Sequence, residues 1–251
     1  MVNKYLSYNH QNFNDIGSEL FKLAISMSYA DDTNRLLVLN NENYTNIIDI
    51  FIKCNYKNLN LDFETKEQFN LNINYNDIDN LLIDFNDFKF NWMDYKYISE
   101  KTRLILSMLI TGNSNYINFA YSKINDYMNY FKDYNINNYV CLNIDRSNYI
   151  SYYYEKAYYR NFNGKKLLIR TNDLEWAKEN VNFIDKNLII FIDGSDENKF
   201  TDFITLSLFK NYIIDYNYFS WWIAYLGEKD KTIIVPNNNN DFYLREWIRQ
   251  S

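Results

Sequence analysis

The chain contains few residues of the types that interrupt secondary structure, form disulfide bonds or act in catalysis and metal binding. Its 251 residues include 1 proline, 5 glycines, 2 cysteines and 1 histidine. Cys54 and Cys141 lie far apart, which excludes a Cys-x-x-Cys metal or redox motif and favours buried thiols in a reducing compartment. His10 lies in a polar N-terminal stretch outside every candidate site, so the sequence does not favour a Ser-His-Asp or Cys-His hydrolase.

Long apolar runs and basic blocks are also missing. No apolar run approaches the roughly 18 residues that a membrane-spanning helix needs, and the N-terminus lacks the apolar core of a signal peptide. The 26 Lys and Arg residues are outnumbered by 32 Asp and Glu, for a net charge of −6. We therefore expect no membrane span, no nucleic-acid partner and a cytoplasmic location.

The residues that are abundant indicate a folded protein with a large core. Apolar residues make up 47% of the chain and aromatic residues 19%, which excludes a disordered polypeptide. A chain of this length buries its core as one large domain or two small ones.

The C-terminal half alternates between two kinds of segment. Short β-rich runs are separated by helical segments near residues 150–160, 173–182, 200–209 and 219–227. This alternation predicts a parallel sheet covered by helices, a Rossmann-like arrangement. The predicted strands are Tyr139–Ile144, Lys166–Arg170, Leu188–Ile192, Tyr212–Ile214 and Thr232–Val235.

The N-terminal half is less regular. Apolar residues from Ile16 to Met27 recur at helical spacing, and Leu36–Leu39 follows as a predicted strand. Residues 41–98 combine loops with short alternating patches, and residues 99–134 predict two helices that break at Gly112. We predict two lobes, residues 1–135 and 136–251.

One βαβ unit stands out, the block Thr205–Pro236. Trp221 and Trp222 open its helix, directly after a strand and a tight turn. Such a turn joins a strand's carboxyl end to a helix's amino end, where α/β sheets bind ligands and anions. Taken alone, the tryptophans favour the simpler interpretation as large core residues.

This block resembles the signature of the α-1,2-fucosyltransferase family. Leu206–Ile214 stands against "met-ser-x-cys-lys-his-x-ile-ile", and Asn217–Leu226 against "ser-ser-phe-ser-trp-trp-x-ala-trp-leu". Asn217 and Tyr218 replace the paired serines, which hold the donor's phosphate in the family, and Ser220 is retained. The resemblance implies a divergent member with a two-lobed, GT-B-like α/β fold.

A second motif of the family, "his-x-arg-arg-x-asp-tyr", corresponds to Asn143–Tyr149. Arg146 and Tyr149 are retained, while Asn143, Asp145 and Asn148 are replacements. A guanidinium at a strand end can hold a diphosphate bidentately, so the resemblance assigns Asn143 and Arg146 to donor binding. The alternative for Arg146 is a surface arginine paired with a carboxylate.

Two further motifs supply the remaining predicted site residues. Asp173–Trp176 matches "asp-ile-glu-trp", so Asn172 and Asp173 are assigned to the donor, although either is also a sound helix N-cap. Gly17 matches the third glycine of the opening motif "gly-gly-leu-gly-asn-gln-met-phe-gln-tyr-ala", which places Asp15 and Gly17 in an acceptor-side loop. Asp77-Ile78-Asp79 has the Asp-x-Asp form of other glycosyltransferases, but carries little weight in so acidic a stretch.

The resemblance implies inverting transfer of a sugar from a GDP-fucose-like donor to a glycan hydroxyl, without a metal or resident cofactor. Such a transfer needs a base. Because Asn148 replaces the motif aspartate, the candidates are Asp145, Glu19 and Asp15. The alternative is a catalytically degenerate relative that binds a sugar or nucleotide, or serves in assembly. The expected partners are a nucleotide sugar and an oligosaccharide, in a bacterium or in the host cytoplasm of a virus.

Overall fold

A computed structural model describes residues 5–8, 16–32, 36–39, 64–65, 82–84, 95–112, 114–194, 199–227, 230–237 and 242–250. The chain divides into two compact units, residues 1–112 and 113–251. The division into an acceptor lobe and a donor lobe at residues 135/136 stays a prediction, because it concerns the roles of the two parts. Within the described residues, no helix is both long and apolar enough to cross a membrane.

The first unit contains a parallel sheet in the order β3-β2-β1-β4. Helix α1 is buried along most of its length, as its apolar spacing predicted, and Ser28 donates a hydrogen bond of 2.9 Å to Thr102 of α2. The helix α1 and the strand β2 confirm the sequence prediction, whereas β1 was not predicted. The elements are β1 (Tyr5–Tyr8), α1 (Ile16–Asp32), β2 (Leu36–Leu39), β3 (Glu64–Thr65), β4 (Leu82–Asp84) and α2 (Glu100–Gly112).

The second unit contains a six-stranded sheet in the order β10-β9-β8-β5-β6-β7, with every pair parallel. The predicted parallel, helix-covered sheet is confirmed, and the sixth strand is an addition to it. The elements are α3 (Ser114–Phe131), β5 (Tyr139–Ile144), α4 (Ser151–Asn161), β6 (Lys166–Thr171), α5 (Leu174–Asn180), β7 (Ile189–Asp193), α6 (Lys199–Ser207), β8 (Asn211–Ile213), α7 (Tyr218–Tyr225), β9 (Thr232–Pro236) and β10 (Ile248–Gln250).

The strand order of this sheet determines where a ligand can bind. Counted from β5 as the first strand, it is 3-2-1-4-5-6, the order of doubly wound nucleotide-binding sheets. The chain moves from β5 through β6 to β7 and then returns to the other side of β5 as β8. The switch point therefore lies between β5 and β8, and its crevice lies at the carboxyl ends of these strands.

The core of the second unit covers both faces of the sheet. All six residues of β5 are buried, as expected for a central parallel strand with helices on both sides. Trp221 and Trp222 are each 0% exposed, and the indole N–H of Trp221 donates a hydrogen bond of 2.9 Å to the carbonyl of Phe242. The prediction that this pair belongs to the core is confirmed.

At the amino edge of the six-stranded sheet, polar side chains donate hydrogen bonds to backbone carbonyls. The ammonium of Lys231, directly before β9, donates to the carbonyls of Ser207, Ile223 and Leu226. Since Ser207 ends α6 and the other two carbonyls belong to the last turn of α7, one cation caps two helix C-termini. The side-chain amide of Asn211 donates to two further carbonyls of the edge.

Candidate functional site

The candidate site lies at the carboxyl edge of the six-stranded sheet. The segments after β5, β6 and β8 carry the residues that three separate sequence motifs predicted, and these strands are neighbours in the order β8-β5-β6. Because parallel strands present their carboxyl ends at one edge, the predicted donor residues gather there. They are Asn143, Arg146, Asn172, Asp173, Asn217, Tyr218 and Ser220, and Asp145, a candidate base, lies beside Arg146.

Arg146 is the exposed cation of this edge. Its guanidinium, 65% exposed, donates a hydrogen bond of 3.1 Å to Oδ2 of Asp173 and lies 6.0 Å from the ring centre of Trp176. Oδ1 of Asp173 meanwhile accepts from the backbone N–H of Trp176 and caps α5. Two predicted donor residues are thus each other's partners, and a diphosphate would compete with Asp173 for Arg146. An ion pair this exposed contributes little to stability, so that competition costs little.

Asp145 organises the turn that presents Arg146. Its Oδ1 accepts hydrogen bonds from the backbone N–H of Ser147 at 3.0 Å and from the Ser147 hydroxyl at 2.8 Å. These bonds cap the 3-10 turn Arg146–Asn148, which follows β5 directly. The carboxylate that replaces the first arginine of the family motif therefore has a local structural role.

The start of α7 follows the carboxyl end of β8. Oδ1 of Asn217 accepts a hydrogen bond of 3.1 Å from the backbone N–H of Ser220, so Asn217 is the N-cap of the helix. The side chain of Tyr218 packs edge-on against Phe242 at 5.5 Å. Capping leaves the N–H groups of the first helical turn directed out of the helix end, which is where an anion binds.

Arg170 is a buried cation of the carboxyl edge that the motifs did not identify. One guanidinium nitrogen donates 3.0 Å to Oδ1 of Asn143, and another donates 2.9 Å to the carbonyl of Gly194. Nε lies 3.4 Å from Oδ2 of Asp202, and the guanidinium lies 4.4 Å from the ring centre of Phe219. Arg170 therefore joins the ends of β5, β6 and β7 to the first turns of α6 and α7.

Burial makes the ionised form of Asp202 in this cluster unfavourable. Desolvation raises the pKa of Asp202 to about 6, and the attraction of Arg170 offsets only part of that rise. Space is equally restricted, because a Cβ at Gly194 would lie 2.8 Å from Cζ of Arg170. One feature of the sequence could have identified Arg170: it is a charged residue at the end of the otherwise apolar run Leu167–Arg170.

Asp215 is the second buried carboxylate that the motifs did not identify. It follows β8 at the switch point, and its Oδ2 accepts a hydrogen bond of 2.8 Å from the hydroxyl of Tyr154 on α4. Desolvation raises the pKa of Asp215 to about 6, and the charge of Asp145 adds to the rise. The neighbouring Tyr153 hydroxyl donates 2.7 Å to the carbonyl of Ile214, so two tyrosines of α4 fix the end of β8.

The residues predicted in the N-terminal half belong to the first unit, whereas Asn172 belongs to the carboxyl edge. Gly17 and Glu19 are buried in α1 of the first unit, and Asp15 lies outside the described residues, as does Asp77-Ile78-Asp79. Asn172 is exposed in the turn after β6. The assignments of these residues to the acceptor loop, the catalytic base and the donor stay predictions.

A model of a known protein family matches the second unit of this chain. Residues 138–250 match the model of glycosyl transferase family 11. The O-antigen biosynthesis glycosyltransferase WbnK of Escherichia coli is 31% identical over 106 residues, which are 38% of this chain and 35% of the relative. The chain thus covers about a third of that protein's length.

A solved structure of an Arabidopsis thaliana FUT1 mutant in complex with GDP aligns with 94% of this chain and 71% of its own, at a TM-score of 0.45 and 12% identity. A likeness of this size does not by itself establish a shared fold. The family match, by contrast, spans β5 to β10 and the whole carboxyl edge described above. The predicted resemblance to a glycosyltransferase family is therefore confirmed over residues 138–250.

Proposed function

We propose that the protein is a glycosyltransferase that transfers a sugar from a GDP-fucose-like nucleotide sugar to a hydroxyl of a glycan. The observation that carries the proposal is the glycosyl transferase family 11 match over residues 138–250, which coincides with a sheet of nucleotide-binding strand order. The two compact units are consistent with a GT-B-like enzyme, in which the first unit would contact the acceptor.

In this proposal the donor's diphosphate binds between Arg146 and the start of α7. Arg146 supplies an exposed guanidinium, and α7 supplies N–H groups at its capped N-terminus. Asn172 and Asp173 lie one strand further along the edge, where they would contact the ribose or the base. Arg170 would act indirectly, because its hydrogen bond holds Asn143 at the end of β5.

The proposed reaction inverts the configuration of the transferred sugar. The acceptor oxygen forms a bond to the anomeric carbon, the bond from that carbon to the diphosphate breaks, and the acceptor's proton passes to a base. Asp145 is the carboxylate of the turn after β5, and only its Oδ1 accepts the two bonds from Ser147. Glu19 and Asp15 of the first unit are the other candidates for the base.

Two observations favour a second function, a binding or assembly module without catalysis. The exposed cation of the motif is paired with Asp173, and the adjacent family arginine is replaced by Asp145. Both features lower the positive charge available to a diphosphate. A degenerate relative would keep the sheet and its tryptophan core and lose the donor.

A thermal-shift panel of GDP-, UDP- and dTDP-sugars tests the proposal, followed by a transfer assay with and without EDTA. A donor at 100 times its Kd stabilises the protein by about 2.7 kcal/mol, so the melting temperature should rise for one nucleotide class. Transfer that is unchanged by EDTA would support the metal-independent enzyme. Binding without transfer would favour the module, and the absence of both would refute the proposal. The cytoplasmic location stays a prediction that fractionation of the source cells would test.

A further inference from the structure

Asp215 combines burial, position and incomplete hydrogen bonding in a way that core packing does not require. It is 3% exposed and lies two residues after the end of β8, on one side of the switch point. Oδ2 accepts from Tyr154, whereas Oδ1 accepts no hydrogen bond from the part of the protein that the structure describes. A buried acceptor without a donor is destabilising, so the native fold retains a group that weakens it.

The charge of Asp215 determines which ligand groups can approach it. A carboxylate only accepts hydrogen bonds, so its partner must be an O–H or N–H group. Phosphate oxygens are excluded, because Asp145 lies close enough to raise the pKa of Asp215 further and both carboxylates would repel an anion. The diphosphate of a nucleotide sugar therefore cannot occupy this position, and a neutral, hydroxyl-bearing group can.

The surroundings of Asp215 fit such a group. The hydroxyl of Tyr243 is buried and has no hydrogen-bond partner among the described residues. Burial raises its pKa, and the negative charge of Asp215 adds to that rise. The Tyr216 ring is 42% exposed and lies 5.4 Å from the Tyr243 ring. A carboxylate, a phenol and an exposed aromatic face together match the hydroxyls and the C–H face of a sugar ring.

We propose that Asp215, Tyr243 and Tyr216 form a sugar subsite, in which Asp215 accepts a hydrogen bond from a hydroxyl of the transferred sugar. This inference rests on the proposed function, since it adds the sugar's position to a nucleotide-sugar site. The diphosphate binds between Arg146 and the start of α7, as proposed above, and the sugar ring binds beside Asp215 after the end of β8.

The test separates the sugar from the nucleotide. Calorimetry measures the Kd of GDP and of GDP-fucose for the wild type and for Asp215→Asn, with the UDP/UDP-glucose and dTDP/dTDP-glucose pairs in parallel. Asparagine keeps an oxygen for the Tyr154 hydroxyl and removes the charge. The ratio Kd(nucleotide)/Kd(nucleotide sugar) should fall on the order of 10-fold in the variant, because a charge-assisted hydrogen bond becomes a neutral one. The Kd of the free nucleotide should stay within about 2-fold.

Asp185→Asn is the matched control. Asp185 is also an Asp at a strand boundary, but it caps the turn Lys186–Leu188 before β7, at the amino edge. Its substitution should leave the ratio unchanged. An unchanged ratio in Asp215→Asn, or an equal loss of nucleotide and nucleotide sugar, would overturn the sugar subsite alone. If the wild type binds none of the pairs, the proposed function itself falls, and the subsite with it.

Discussion

The two edges of the six-stranded sheet differ in how their buried polar groups are hydrogen-bonded. Both edges bury polar groups beside one continuous core. At the amino edge, Lys231 and Asn211 direct their protons at backbone carbonyls, and the hydroxyl of Tyr212 donates to the carbonyl of Leu206. At the carboxyl edge, Asp215 and Tyr243 each bury a side-chain oxygen that has no hydrogen-bond partner among the described residues.

The difference fits the proposal that the carboxyl edge binds a ligand and that the amino edge is structural. Satisfied buried polar groups make a local structure rigid, whereas each unsatisfied one costs about 1–3 kcal/mol. Burial also raises the pKa of both Asp202 and Asp215 to about 6 at the carboxyl edge, so their ionised forms are unfavourable. Such departures from good packing are expected where a ligand binds. Among the described residues, none of the buried side-chain atoms without a hydrogen-bond partner lies at the amino edge.

The largest expected effect comes from the helix that connects the two edges. Trp222 lies in α7, between the Asn217 cap and the carbonyls that Lys231 binds, and is 0% exposed. Trp222→Ala should lower the free energy of unfolding by about 3–5 kcal/mol, as large aromatic truncations in cores do. Denaturant unfolding measures it. An unchanged melting temperature together with lost ligand binding would instead assign the tryptophan to the site.

Breaking the amino edge should affect stability and not ligand binding. Lys231→Met leaves the carbonyls of Ser207, Ile223 and Leu226 without their shared donor, and we expect a loss of about 2–4 kcal/mol from these bonds. Lys178→Met is the matched control, because Lys178 forms an exposed ion pair with Glu175 that contributes about 0–1 kcal/mol. Nucleotide binding that weakens with Lys231→Met in the folded protein would contradict the division between the edges.

Breaking the carboxyl edge at Arg146 should have the opposite result. Arg146→Ala should weaken donor binding by about 1.5–3 kcal/mol, the range for a charged hydrogen bond, with little change in the free energy of unfolding. Asp145→Arg, which restores the family's pair of arginines, should tighten the binding of a GDP-sugar. Calorimetry on the wild type and both variants decides the matter. Unchanged donor binding in Arg146→Ala would place the diphosphate elsewhere.

The smallest effect concerns the pH dependence of stability at Asp215. Its pKa is raised from 3.8 to about 6 in the folded protein, so the destabilisation by ionisation is complete above about pH 6, decreases as the pH falls from 6 to 3.8, and is lost below 3.8. Asp215→Asn should therefore be more stable than the wild type by about 1–3 kcal/mol at pH 7–8, and the difference should become much smaller at pH 4.

The phenols of Tyr153, Tyr154 and Tyr243 face Asp215 and stay neutral in this range, because burial raises each pKa. Asp145 is the charged group whose field also raises the pKa of Asp215. It is present in both proteins, so the difference between the wild type and Asp215→Asn at each pH isolates Asp215. A stability difference that is the same at pH 4 and pH 8 would show that burial does not perturb this carboxyl group.

The sequence alone determined the architecture of the second unit and which segments form its candidate site. Five of the six strands and the four helices between them follow from local apolar periodicity, because a strand buried on both faces must be apolar throughout. The family signature in Thr205–Pro236 and the motif at Asn143–Tyr149 located the carboxyl ends that form the site. The strand β10 escaped prediction because Ile248–Gln250 is short and partly exposed at the sheet edge.

Only the tertiary structure decided which partners these residues have. Arg146 pairs with Asp173, 27 positions later, and Arg170 reaches Asn143 and Gly194 across two strand pairs. Such contacts depend on strand order, which local periodicity does not encode. The raised pKa of Asp215 likewise has no sequence signal, because it depends on how much water the surrounding helices exclude. The local pattern of apolar residues specifies which segments become buried. The packing of segments that are distant in the sequence decides which charged side chains are buried with them.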